Sequence, residues 1–308
     1  MYIGLDIGGT NMVAGLTNGA GKIINKVSRP VNKAWDPAEL CRQSAQLAQQ
    51  AAEVGGFAAD QIKAVGLGLP GLVDNKTGYV IQTPNMPFDN TPIREMFQAE
   101  WDVPVYLGND ANCAALAETV AGGAVGCRNM ILITLGTGVG GGIVADGQLL
   151  EGVGGTGAEV GHTVLVLDGE DCTCGRKGCW EAYASATALI RQGKRAAAAQ
   201  PESLLAGYGE GLTGKDVFDA AAAGDAAAQA VVDRYCVYVA AGITDLVNIL
   251  GPEKVLIGGG ISRQGERLLA PIRAYVAANC FGGHDRTPPV IECARLGNEA
   301  GIIGAAAL

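Results

Sequence analysis

Two stretches of this chain follow one pattern, and that repetition limits the fold more than any other feature. Tyr2–Ile7 is an apolar run suited to a buried strand, and Gly8-Gly9-Thr10 turns it. Asn11–Thr17 and residues 22–29 follow as strands, joined by Asn18-Gly19-Ala20-Gly21. Far along the chain, Met130–Leu135 is again an apolar run and residues 136–142 are glycine-rich. Residues 143–145 are strand-like, and Asp146-Gly147 is again a hairpin signal leading into a strand. Setting Asp6 against Thr134 brings the two segments into step, although few side chains agree. An antiparallel meander used twice predicts an internal duplication. The two α/β halves would each present a glycine-rich hairpin and together clamp a nucleotide.

The other elements fill in around these meanders. Asp36-Pro37-Ala38-Glu39 predicts a helix start, with Asp36 as N-cap and Glu39 completing a capping box, and Gly55-Gly56 stops that helix. Strands are expected at Ala64–Leu69 and 103–107, and helices from Thr91-Pro92 and over 111–120. The second half reads as helical over 187–199 and 217–250, with strands at 255–257 and Val290–Cys293. The small-residue helix expected at 298–308 can pack back on the first domain. A chain of 308 residues is long for one core. The expected division is a small α/β domain, 1–118 with the C-terminal helix 296–308, and a large one, 119–295.

Composition excludes several classes. A net charge of −9 speaks against a nucleic-acid surface. No apolar run reaches the roughly 18 residues a membrane span needs, and the start of the chain has no basic, signal-like segment. Nine cysteines, an odd number, fit reduced thiols or metal ligation better than a disulfide framework. The expected setting is the cytoplasm, away from membranes.

Four segments carry chemistry. Asp6-Ile7-Gly8-Gly9-Thr10 delivers a carboxylate to a turn whose backbone N–H groups can face phosphate. It is not a Walker A loop, since no Gly-Lys-Ser/Thr follows. The segment 135–142 contains Thr137, Gly138 and a G-x-G-x-G run. A strand follows instead of a helix, which argues against a dinucleotide fold. Asp110, in Gly108-Asn109-Asp110, is either a helix N-cap or a general base for an attacking hydroxyl, with Asn109 orienting the same substrate. The sharpest signal is His162 with Cys172, Cys174 and Cys179, a closed tetrahedral zinc set with no open position for water, hence structural. Glu159 and Glu181 bracket it, placed to accept hydrogen bonds from sugar hydroxyls. His284, the other histidine, reads as solvated.

Together, Asp6-Ile-Gly-Gly-Thr10, Gly108-Asn-Asp110, Leu135-Gly-Thr-Gly138, Glu159-x-Gly-His162 and Cys172-x-Cys-Gly-x-x-Gly-Cys-x-Glu181 resemble the ROK family (repressor, open reading frame, kinase) in the expected order. The resemblance implies an actin/hexokinase-like fold, ribonuclease H-like and duplicated, with two domains closing on a cleft. It implies transfer of the γ-phosphoryl group of ATP to a hexose, glucose first, with N-acetylmannosamine, fructose and allose as alternative acceptors. Asp110 would be the base. Asn85, Asn109, Asp110, Glu159, His162 and Glu181 match sugar-contact positions. Gly8, Gly9, Thr10, Thr137 and Gly138 match phosphate loops, and Gly258, Gly259 and Gly260 the segment near adenosine. Asp6 would help hold Mg²⁺, through water. A homodimer or homotetramer is implied. The family's repressors carry a winged helix ahead of the kinase-like part. The first strand here begins at residue 2, which disfavours a DNA-binding repressor and leaves a sugar-sensing regulator without a DNA-binding domain as the alternative class. An actin-like ATPase without a sugar is disfavoured by the zinc loop. One departure is Gly157-Ala158 where many members have Ala-Gly; it touches neither the acid nor the metal ligands.

Overall fold

The computed structural model describes residues 1–83, 86–283 and 287–308, so Asn85 and His284 lie outside the described residues. The chain divides into two compact units. Residues 1–128, 142–158 and 295–308 form the first, and residues 129–141 and 159–294 the second. No helix among the described residues is long and apolar enough to cross a membrane.

The first unit is built on β1 (Tyr2–Ile7), whose Ile3, Leu5 and Ile7 are buried. β2 (Asn11–Thr17) and β3 (Ile23–Pro30) complete the expected meander, both pairings antiparallel. β4 (Ala64–Leu69) returns parallel to β1. Three short strands that the sequence did not announce, β5 (Leu72–Asp74), β6 (Tyr79–Gln82) and β7 (Asp89–Thr91), make a small separate sheet. β8 (Val105–Asn109) runs parallel to β4, giving the order β3-β2-β1-β4-β8. Helices α1 (Pro37–Val54), α2 (Ile93–Glu100) and α3 (Asp110–Ala121) accompany this sheet. Leu40, Leu47 and Phe97 from α1 and α2 are buried with Leu67 and Leu107 in one core cluster. Asp36 caps α1, accepting the Glu39 N–H at 2.8 Å. The capping box stays half-made: the Glu39 carboxylate binds Arg42 and Gln43 on the next turn, where a guanidinium is the stronger donor.

The second unit repeats this plan. β9 (Met130–Leu135) lies between β10 (Val139–Ala145) and β12 (Lys254–Gly258), and β12 pairs in parallel with β13 (Val290–Cys293). The far end of β10 belongs to the first unit, where Val144 and Ala145 pair with Leu149 and Gln148 of β11 (Gln148–Leu149). Each half is therefore a meander with two parallel strands added beyond its first strand. The registers agree as well: Asp6 faces Gly68 across β1 and β4, and Thr134 faces Gly258 across β9 and β12.

Helices α4 (Glu181–Ala184), α5 (Ala186–Ala199), α6 (Gly214–Ala222), α7 (Ala226–Leu250) and α8 (Glu266–Asn279) surround the second sheet. The continuous helix expected over 217–250 is two helices. Gly224, at φ 91°, ends the run after α6, and Asp225 accepts the Ala228 N–H at 2.8 Å and starts α7 afresh. Trp180 is fully buried, and its indole N–H donates to the Tyr238 carbonyl at 2.8 Å.

The chain ends in α9 (Ala300–Ala305), which lies directly on β1, β4 and α3 of the first unit. Glycines permit the approach. A Cβ at Gly4 would sit 1.9 Å from the Ile302 carbonyl oxygen, and one at Gly304 would sit 1.7 Å from that of Cys113. Buried Glu118 fixes the segment that leads into α9. Its carboxylate accepts backbone N–H groups of Gly123, Arg295 and Leu296 at 2.6, 2.8 and 2.9 Å. Three donors compensate a charge that would otherwise be costly to bury.

Candidate active site and metal centre

The parallel strands β1, β4 and β8 end side by side. Ligands of open α/β sheets bind at such carboxyl ends. Asp6, Gly68 and Gly108 share one register row, so neighbouring strands about 4.8 Å apart bring the ends of β1 and β8 toward a common floor. Glycines at 68 and 108 let Cys113 of α3 pack close on this row, since a Cβ would lie 3.4 and 2.9 Å from its Sγ. Beyond Asp6 the chain turns, with the Gly8 N–H donating to the Asn11 carbonyl and the Val31 N–H to that of Thr10, both at 3.0 Å. A cavity of about 730 Å³ opens here, lined by Asp6, Gly8, Gly9, Thr10 and Asp110 among others. That is ample for a small polar ligand.

The helix cap at 109–110 is Asn109 and not Asp110. Asn109 is the N-cap of α3: its Oδ1 accepts the N–H groups of Ala111 at 2.9 Å and Asn112 at 3.2 Å. Its Nδ2 donates to the Gly71 carbonyl at 3.0 Å. With the cap filled, Asp110 is the first helical residue and stays exposed on the cavity wall. Among the described residues no side chain hydrogen-bonds its carboxylate; the Ala111 N–H reaches Oδ1 at 2.8 Å. The protein packed around it raises its pKa above the ordinary carboxylate range, and the backbone N–H of Ala111 opposes that rise. Burial pushes the Asp6 carboxyl up to about 6, and the negative charge of Asp110 adds to the shift. Two acids held above their usual range in one cavity are where proton transfer and cation binding are expected.

In the second unit His162 sits on a single helical turn, Val160–His162, and the three cysteines on the loop after it. The four candidate ligand atoms lie within 4.8 Å of one another. Cys172 Sγ is 3.7 Å from His162 Nδ1, and Cys174 Sγ is 3.6 Å from Cys179 Sγ. Thiolates on a tetrahedral zinc with bonds of about 2.3 Å would lie roughly 3.8 Å apart, so the donors fit such an ion. Nδ1 faces the sulfurs, which leaves Nε2 pointing away from them. The loop is braced: Cys172 N–H donates to the Arg176 carbonyl at 2.9 Å, Trp180 N–H to that of Thr163 at 2.8 Å, and Arg176 to that of His162. Glu159, exposed, immediately precedes the His162 turn.

Glu181 follows the last cysteine by two residues and opens α4. Its Oε2 accepts the Val139 N–H at 3.0 Å, and its Oε1 the Thr173 hydroxyl at 3.1 Å. The glycine-rich loop is held from the same side: Ala186 N–H donates to the Gly136 carbonyl and the Thr187 hydroxyl to that of Thr137, each at 2.8 Å. Gly258–Gly260 closes beside this loop, since a Cβ at Gly259 would lie 2.4 Å from the Leu135 carbonyl oxygen. The structure thus gathers Asp6, Gly8–Thr10, Asn109 and Asp110 in the first unit. It gathers Thr137, Gly138, Glu181, the metal set and Gly258–Gly260 in the second.

Two residues of the first-unit cavity escaped the sequence reading. Lys33 and Trp35 lie on a tight turn after β3, where the Trp35 N–H donates to the Asn32 carbonyl at 3.0 Å, and both line the cavity. Trp35 packs half-buried against the core, with Met86 alongside it. The only local signal was a tryptophan in an otherwise polar turn.

Residues 2–308 match the ROK family. The chain is 44% identical over 248 residues to a glucokinase of Halalkalibacterium halodurans, covering 78% of this chain and 74% of that protein. It is 39% identical to a glucokinase of Streptomyces coelicolor over 100% of this chain and 97% of that one. A ROK family glucokinase of Streptomyces griseus, solved with glucose and AMPPNP, superposes with a TM-score of 0.80 at 36% identity, covering 99% and 97% of the two chains. The expected actin/hexokinase-like, duplicated α/β fold is the one present. With its signature residues in order and the match running nearly end to end, this chain belongs to the ROK family.

Proposed function

We propose that this chain is an ATP-dependent hexose kinase whose acceptor is glucose, phosphorylated at the 6-hydroxyl. The observation that carries this reading is Asp110, an accessible carboxylate with its helix cap supplied by Asn109. The relatives named glucokinase support the acceptor. Asp110 accepts the proton of the sugar hydroxyl as its oxygen attacks the γ-phosphorus of ATP in line, and the bond from phosphorus to the bridging oxygen breaks to release ADP. Asn109 keeps one amide hydrogen for the sugar while its oxygen holds the helix. Trp35 and Met86 form an apolar wall that limits water, the competing acceptor. Asn85, Glu159, His162 through Nε2, and Glu181 are assigned to sugar hydroxyls by the family pattern.

Gly8, Gly9 and Thr10, with Thr137 and Gly138, present N–H and hydroxyl donors to the phosphates, and Gly258–Gly260 flanks the adenosine. Magnesium held near Asp6 through water would offset phosphate charge. Zinc on His162, Cys172, Cys174 and Cys179 would order the loop without touching the reaction. Nine cysteines without a disulfide, and dependence on ATP, fit the cytoplasm. A homodimer or homotetramer follows from the family pattern and is checked by light scattering.

The test is ADP release with Mg²⁺–ATP against glucose, mannose, fructose, allose, N-acetylglucosamine and N-acetylmannosamine. Glucose is expected to give a kcat/KM at least about tenfold above the others, the discrimination that one extra or missing group commands. Turnover only on an N-acetyl sugar would replace the acceptor. No sugar-stimulated turnover would remove the kinase reading.

A further inference from the structure

Glu181 makes contacts that a sugar-binding carboxylate does not need. One of its oxygens holds the backbone N–H of Val139, inside the glycine-rich loop, at 3.0 Å, and the other holds the hydroxyl of Thr173 at 3.1 Å. Thr173 stands between two metal-ligating cysteines, and Cys172 Sγ also lies 3.7 Å from Oε1. The fit is tight on the loop side, since a Cβ on Gly138 would come within 2.2 Å of Oε2. A carboxylate beside a phosphate loop repels the ligand, so where its charge sits matters; here both oxygens are fixed by protein donors.

We infer that Glu181 is a positioning residue that joins the metal loop to the phosphate loop, so that an ordered metal loop sets nucleotide affinity. The inference rests on the proposed placing of ATP phosphates at residues 136–138. Glu181 keeps the Val139 peptide turned inward and the loop open for phosphate. Thr173 holds the carboxylate in that pose only while its flanking cysteines are fixed. The metal, though structural, thereby becomes coupled to ATP. A carboxylate has lone pairs to spare for a sugar hydroxyl, so this role is additional to any sugar contact.

The experiment measures the dissociation constant of a fluorescent ATP analogue with Mg²⁺, without sugar, next to zinc content and the KM for glucose. Thr173→Val removes only the link to the metal loop. It is expected to weaken nucleotide binding on the order of fivefold, a common size for coupling between sites, with zinc retained and the glucose KM unchanged. Glu181→Ala is expected to weaken it further. Glu181→Gln, whose oxygen can still take the Val139 N–H and whose amide can donate to Thr173, is expected to restore most of it. Removing zinc by a chelator should weaken nucleotide binding in the wild type but add little in Thr173→Val. Unchanged nucleotide binding in Thr173→Val and Glu181→Ala, with only the glucose KM raised, would overturn the inference and leave a sugar contact. Because the binding measurement needs no turnover, failure of the glucose reading would show separately, as wild-type protein that binds nucleotide but phosphorylates no hexose.

Discussion

The two halves share one sheet plan but carry different chemistry at the same place. In the first, the last residue of the leading strand to pair with its parallel neighbour is Asp6, facing Gly68; in the second it is Thr134, facing Gly258. The first half adds a second acid, Asp110, at the end of β8. The second half places no acid at the matching end of β13, where Ala294 and Arg295 follow, and builds a thiolate loop instead. The scaffold offers the same open strand ends twice. The two rows differ in the side chain they present, an acid in the first and a hydroxyl in the second.

The largest effect separates the halves by their need for metal. Zinc removal, or Cys174→Ser, should cost the second unit on the order of 5 kcal/mol, given the still larger metal contributions seen where zinc alone organises a fold. Calorimetry should show one transition lowered and the other intact; a scan indifferent to chelator would mean that the loop stands without metal. Next, Thr134→Asp gives the second half the acid of the first. A like charge close to the ATP phosphates should raise the KM for ATP about tenfold or more and leave the glucose KM alone. An unchanged KM for ATP would place the phosphates elsewhere.

Asp6 sharpens the contrast through pH. Its carboxyl, raised to about 6 by burial first and by Asp110 second, favours the folded state when protonated. That contribution is complete below the ordinary carboxylate range and is lost as pH rises through about 6. Asp6→Asn should therefore stabilise the protein by up to about 3 kcal/mol at pH 8, with no gain near pH 3, as denaturant melts would report. Activity runs the other way. With Asp6 required ionised, kcat/KM should fall as pH drops below about 6; a profile flat to pH 5 would exclude Asp6 from the reaction. The smallest effect is Trp35→Ala. Losing one aromatic wall of the cavity should raise the glucose KM roughly fivefold, about 1 kcal/mol, with the KM for ATP steady. Equal changes in both would indicate a general loosening of the turn.

Much of this could be read from residues alone because the strongest signals are local. Apolar runs broken by Gly8-Gly9 and by 136–142 mark the meanders whatever they pack against. His162, Cys172, Cys174 and Cys179 need only their identities and spacing. What escaped depends on distant partners. The break between α6 and α7 is a single Gly224-Asp225 pair in a stretch of alanines. Strands β5 to β7 are only three or four residues long and pair with one another rather than with the main sheet. Glu118 looks like a surface glutamate until Arg295 and Leu296 arrive from 177 and 178 positions away. Lys33 and Trp35 matter only because their turn folds over the Gly8–Thr10 loop. The sequence favours Asp110 as a base over a cap, but which of Asn109 and Asp110 caps the helix shows only in the hydrogen bonds.

The proposed proton transfer to Asp110 of the first unit is checked by glucose-dependent ADP release by Asp110→Asn beside the wild type, with ATP and glucose dissociation constants measured on the same samples. The kcat is expected to fall by about 10² to 10⁴, the usual worth of a general base, with both ligands bound nearly as before. An Asp110→Asn enzyme that phosphorylates glucose within a few-fold of the wild type would contradict it.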